Sequence, residues 1–174
     1  MKRRRFLHLA AGVAAFSALS PTAQAQSYPA RPVRVIVPFA PGGPTDVFAR
    51  LMAQKLSEQL GAQFYVENIA GAGGNIGTGR AAQAAPDGYT MLVTGANIVL
   101  NPALYPHVPY DPGKDFDPIT IAVAAPAVLT VNPTLPAQTV RDLIVLIKTH
   151  PGKYSYASPG TGTPPHLVGE LFRQ

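Results

Sequence analysis

Three short stretches of this sequence carry residue types that could do chemistry, and each lies at the end of an apolar run. The first is Phe39-Ala40-Pro41-Gly42-Gly43-Pro44-Thr45-Asp46. Its glycines let a guest approach the main chain, and the helix start behind them presents unpaired N–H groups and a dipole that favours a carboxylate or phosphate. From these residues alone, an anion-receiving turn and a tight connecting turn that binds nothing read equally well. The second, Thr94-Gly95-Ala96-Asn97, ends an apolar run with small and polar residues. The third holds Ser158, Gly160, Thr161, Gly162, Thr163 and His166, rich in hydroxyls and poor in charge. In open α/β sheets ligands lie beyond the carboxyl ends of strands, so these corners are expected to converge on one cleft.

Other chemistries fit less well. Ser158 and His166 invite a hydrolase reading, but Gly-x-Ser-x-Gly is absent and no acid is placed to orient the imidazole. His166 and Glu170 sit one helical turn apart, which makes two metal ligands without a third. The chain has no cysteine, so thiol nucleophiles, thiolate metal sites and disulfides are excluded. Gly77-Thr78-Gly79-Arg80-Ala81-Ala82 matches the relaxed dinucleotide pattern, yet it lies well past the strand end expected at Asn68, and no acidic residue closes a following strand at the needed spacing. A Gly-Lys-Ser/Thr triplet is missing, which excludes a P-loop. No catalytic residue, metal or cofactor is therefore assigned. An α/β hydrolase or nucleotide enzyme is the most remote of the alternatives.

The elements that must position these corners follow from periodicity. Val33–Val37 is a β-branched run read as a first buried strand, followed by a helix over Val47–Leu60 with Thr45 or Asp46 as its N-cap and Gly61 as its stop. Phe64–Asn68 is a second strand. The glycine-rich stretch Gly71–Gly79 leads into a helix around Arg80–Ala85, and Tyr89–Thr94 is a third strand. After an irregular stretch rich in Pro and Asn, Ile119–Ala124, Ala127–Val131 and Tyr154–Ala157 are expected as strands. Thr139 is expected to cap a helix to about His150, and Pro164 or Pro165 to open a last one. Strands alternating with helices indicate an α/β fold with a mostly parallel sheet. A composition shift near Ala125-Pro126 suggests a passage between two lobes.

Charge narrows the partners. Of fourteen basic residues, Lys2, Arg3, Arg4 and Arg5 open the chain, and none of the nine acids precedes Asp46. The rest is nearly neutral, without a basic stripe, so nucleic acid is not an expected partner. The cationic start, the apolar stretch Phe6–Leu19 and the small residues of Ala23-Gln24-Ala25 form a signal peptide over residues 1–25, with cleavage expected after Ala25. Arg3-Arg4-Arg5-Phe6-Leu7-His8 also resembles the twin-arginine export pattern. A periplasmic location follows.

Several motifs together resemble the Bug receptors, the solute-binding components of tripartite tricarboxylate transporters. They are Tyr28-Pro29-x-Arg31-Pro32-Val33, Val37-Pro38-Phe39-x-Pro41-Gly42-Gly43-x-Thr45-Asp46, Glu67-Asn68-x-x-Gly71-Ala72-Gly73-Gly74-Asn75-Ile76-Gly77 and Ala85-Pro86-Asp87-Gly88-Tyr89-Thr90. Tyr110-Asp111-Pro112-x-x-Asp115-Phe116, His150-Pro151-Gly152-Lys153 and Gly160-x-Gly162-Thr163-x-x-His166-Leu167-x-Gly169-Glu170 continue the series. The resemblance implies a type II-like periplasmic binding fold of two α/β lobes. On that basis residues 26–125 form lobe 1, and residues 126–174 begin a lobe 2 that is incomplete in this chain. It further implies a non-enzymatic receptor, monomeric when full length, that captures a small carboxylate or amino-acid-like solute for membrane transporter subunits. A receptor without its own transporter, feeding a membrane sensor, and a non-functional truncated receptor are the alternatives. Carried over by motif, the cleft is lined by Phe39–Asp46, Thr94–Ala96 and Ser158–Thr163, with His166 at the head of a lobe-two helix. Pro44 stands where Ser or Thr is common, which removes one N–H donor. Family members are about twice as long, so these residues alone are expected to bind weakly or not at all.

Overall fold

The computed structural model describes residues 27–174; the expected signal peptide lies outside them. The chain divides into two compact units, Met1–Ala30 and Arg31–Gln174. Of the first only residues 27–30 are described, and these are irregular.

The second unit is built on strand β1, Val33–Val37, whose Val33, Val35, Ile36 and Val37 are fully buried. A run of Val and Ile interrupted only by Arg34 suits a strand covered on both faces. Strands β2 (Phe64–Asn68) and β3 (Thr90–Leu92) flank it in a parallel sheet of order β2-β1-β3, with Val35 level with Val66 on one side and Met91 on the other. Helix α1, Pro44–Leu60, sets Ala49 and Ala53 against Val33, Val35 and Val37. It ends where Gly61 turns left-handed (φ 67°) and its N–H returns to Ser57 O, as expected for a glycine stop. Its start differs from the expectation. Gly43 is the N-cap, Pro44 takes the first turn without needing an N–H, and Asp46 falls three residues in.

Helix α2 runs over Asn75–Ala82, preceded by a 3-10 turn at Ala72–Gly74. It was expected further on, around Arg80–Ala85. The glycines that suggested a loop serve close packing instead: a Cβ on Gly77 would strike Ile69 O and come within 2.8 Å of Pro38 Cα. Helix α3, Asn97–Leu104, occupies the stretch expected to be irregular. Pro102 inside it obscures the pattern, since proline in a helix interior removes a hydrogen bond.

Beyond Tyr110 the expectations divide. Helix α4, Val140–Thr149, begins with the capping box expected at Thr139: Asp142 N donates to Thr139 Oγ1 and Thr139 N to Asp142 Oδ2. Helix α5, Pro164–Arg173, carries its prolines in the first turn. The strands expected at Ile119–Ala124, Ala127–Val131 and Tyr154–Ala157 do not form. A strand exists only through its partner, and among the described residues none pairs with these runs. Their apolar side chains stay in water, Ile121 at 89% and Val128 at 78% exposure. No helix among the described residues is long and apolar enough to cross a membrane.

Candidate functional site

The β1–α1 corner is organised by Asp46. Its carboxylate is 3% exposed and accepts from Gly42 N (2.8 Å), Arg50 Nε (3.0 Å) and Asn68 Nδ2 (2.9 Å). These donors, Arg50 first, then the Gly42 amide and Asn68, hold its pKa down from the ordinary 3.8 to about 2 against the opposing effect of burial. Asn68 Nδ2 also donates to Phe39 O (3.1 Å). Asp46 therefore shapes the loop by tying down Gly42. The N–H groups of Gly43 and Thr45 take no acceptor among the described residues. Ala40, Pro41 and Gly42 are exposed at the tip, while Phe39 is half-buried against the core.

A cluster of asparagines joins the remaining corners. Thr94 Oγ1 donates to Asn97 Oδ1 (3.3 Å), just past the exposed Gly95 and Ala96. Asn97 Nδ2 and Asn101 Nδ2 each donate to Gly73 O at 3.1 Å, and Asn101 Nδ2 also reaches Asn75 Oδ1 (2.7 Å). Asn75 Oδ1 accepts a further bond from the Tyr110 hydroxyl (3.1 Å), whose pKa is raised by burial. The β1 end touches this cluster through Gly74, where a Cβ would lie 2.7 Å from Asn97 Nδ2 and 3.5 Å from the Phe39 ring.

The loop before α5 packs on the same cluster. Tyr105 OH donates to Thr161 O (2.9 Å), and a Cβ on Gly162 (φ 85°) would lie 2.5 Å from Asn101 Oδ1. Within the loop, Thr163 Oγ1 and N both donate to Gly160 O (2.6 and 3.2 Å), and Gly162 N points to His166 Nδ1 (3.4 Å). The structure thus gathers Phe39, Thr94 and Gly160–Thr163 around Gly73 and Asn101. The exposed tip Pro41–Gly42 makes no hydrogen bond to this group, and neither does Ser158. Ser158 makes no hydrogen bond to His166 either. Glu170 is taken up by Tyr156 OH (2.6 Å) and Arg173 (2.8 Å), and no group of three metal-ligating side chains occurs among the described residues. Sequence reading placed Asn97 in the Thr94 corner without a role of its own and missed Asn68, Asn101, Tyr105 and Tyr110. The four-residue spacing of Asn97, Asn101 and Tyr105 was the available signal.

Residues 48–174 match the model of the tripartite tricarboxylate transporter family receptor. The chain belongs to that family. Protein BugT of Bordetella pertussis is 38% identical over 99% of this chain and 54% of its own length. Among solved structures, periplasmic binding protein BugD superposes with a TM-score of 0.72 at 38% identity, over 83% of this chain and 48% of that one. An R. palustris protein, Rpa4515, solved with adipate, superposes at 0.80 and 37% identity, over 84% and 49%. MatC (Rpa3494) from Rhodopseudomonas palustris, solved with malate, superposes at 0.66 and 32%, over 84% and 51%. The expected Bug resemblance and periplasmic-binding fold are borne out. The family and these neighbours are solute-binding receptors, and the chain spans about half the length of the curated relatives it matches.

Proposed function

We propose that this chain belongs to an extracytoplasmic receptor that captures a small carboxylate and delivers it to the membrane subunits of a tripartite tricarboxylate-type transporter. It acts by binding and not by catalysis. The cleft lies between residues 26–125, as lobe 1, and the lobe that begins at residue 126; the leader over residues 1–25 directs export. The observation that carries the reading is the set of loops meeting at Gly73 and Asn101, within a family whose solved members include complexes with adipate and malate. These loops offer amides and hydroxyls and almost no formal charge. Gly43 N and Thr45 N at the start of α1 are the donors best placed for an anion, aided by the helix dipole. Thr94, Gly95, Ala96, Ser158, Gly160–Thr163 and His166 complete the lining.

The test is calorimetry on the protein made from its complete reading frame, with benzoate, nicotinate, glutamate, adipate, malate and citrate. At least one carboxylate should bind with micromolar Kd and raise Tm. Failure of all six to bind would overturn the reading.

A further inference from the structure

Asn97, Asn101 and Tyr105 stand at four-residue intervals along α3 and its C-cap, and so share one face of the helix. All three donate to main-chain carbonyls of other loops: both asparagines to Gly73 O, Tyr105 to Thr161 O. Asn97 is 1% exposed and Asn101 0%. Polar groups buried this deeply are costly unless bonded, and the Asn101 Oδ1 finds no donor. Apolar residues would fill a helix face with less penalty, so the stripe needs a reason beyond packing.

The two carbonyls it holds share a property: each precedes a glycine with positive φ. Gly73 O belongs to the Gly73–Gly74 peptide (Gly74 φ 96°), and Thr161 O to the Thr161–Gly162 peptide (Gly162 φ 85°). A peptide plane next to glycine can rotate at little steric cost, because no Cβ blocks the alternative. Left alone, either plane could turn its oxygen toward a guest. A carbonyl oxygen facing a carboxylate repels it; the N–H groups of the two planes are themselves held, Gly74 N on Gly71 O (2.9 Å) and Gly162 N toward His166 Nδ1 (3.4 Å).

We propose that Asn97, Asn101 and Tyr105 are positioning residues of the carboxylate site, holding the Gly73 and Thr161 carbonyls on protein donors so that neither oxygen turns toward the guest. Asn101 acts twice, because its Oδ1 also lies against Gly162. This rests on the receptor reading above and adds its charge selectivity: the stripe sets preference for an anion over a neutral molecule of the same shape.

The experiment compares the tightest carboxylate of the six with its uncharged amide (adipamide for adipate), using the same full-frame protein. Tyr105→Phe removes one hydroxyl and keeps the ring; Asn101→Leu keeps the number of side-chain heavy atoms and removes the donor and acceptor. Each variant should weaken carboxylate binding about tenfold, the scale of one hydrogen bond, and leave amide affinity within about twofold. The preference for the anion then shrinks while the cooperative melt persists. An unchanged preference in Tyr105→Phe, or parallel loss of both probes, would overturn the positioning role and leave the receptor reading standing. A wild type that binds none of the carboxylates removes both.

Discussion

Val33–Val37 and Ile119–Val131 are built from the same kinds of residue and meet opposite fates. Val35 and Ile36 lie at the centre of a sheet with no exposed surface, while Ile121 and Val128 stand almost wholly in water. The difference is not propensity. Val33–Val37 has a strand on each side and contacts both α1 and α2, and the later run has no partner among the described residues. A β-branched run makes a segment ready to pair, but ladder bonds and burial come from elsewhere in the chain. Helix α4 makes the complementary point. Its capping box closes between Thr139 and Asp142, three residues apart, and forms in the same sparsely packed region.

That contrast can be broken by substitution. The largest effect is expected for Ile36→Ala, at about 2–5 kcal/mol of destabilisation as for other buried aliphatic truncations, read by chemical denaturation. Gly77→Ala should cost about 1–3 kcal/mol, because the added methyl meets the Ile69 carbonyl and the Pro38 main chain; an unchanged melting midpoint would remove the close-packing account of α2. Asp46 predicts a pH dependence. Its folded pKa lies below the ordinary 3.8, so the ionised form is favoured by folding, and this stability is present above 3.8 and lost as pH falls toward 2. In Asp46→Asn, Tm should vary less with pH across that window than in the parent. Thr139→Ala should lower the stability of α4 by about 1 kcal/mol, detectable as faster amide exchange in Val140–Leu143 and unchanged exchange in β1. Smallest of all, Ile121→Ala should shift stability by no more than about 0.5 kcal/mol. A loss as large as that for Ile36→Ala would mean the two runs are buried alike in solution.

Much of the fold was legible where the determining interactions are local. The bounds of β1, the Gly61 stop, the Thr139 cap and the prolines opening α5 all rest on contacts within a turn or on one short run rich in Val and Ile. Position on the helix was less legible where glycine had two meanings. Gly77 and Gly79 read as loop residues, yet they are small because α2 lies hard against neighbouring chain. For the candidate site, the corners were found and the residues that join them were not. Asn97 was read only as the polar end of a corner and Asn101 as part of an irregular stretch, since an asparagine whose partner is the carbonyl of Gly73, over twenty residues away, carries no local mark of that role. Asp46 was read as a ligand-facing cap, and its carboxylate is instead consumed by Gly42, Arg50 and Asn68.

By itself, then, the order of residues determined the alternation of strands and helices up to the third strand, the Gly61 and Thr139 caps, the absence of thiol chemistry and the donor-rich character of three corners. These depend on side-chain type and short spacing. Only the tertiary structure decided which apolar runs became strands, which polar side chains were buried, and which carbonyls they hold. Those outcomes depend on what lies across the gap from each group, and distance along the chain does not encode it.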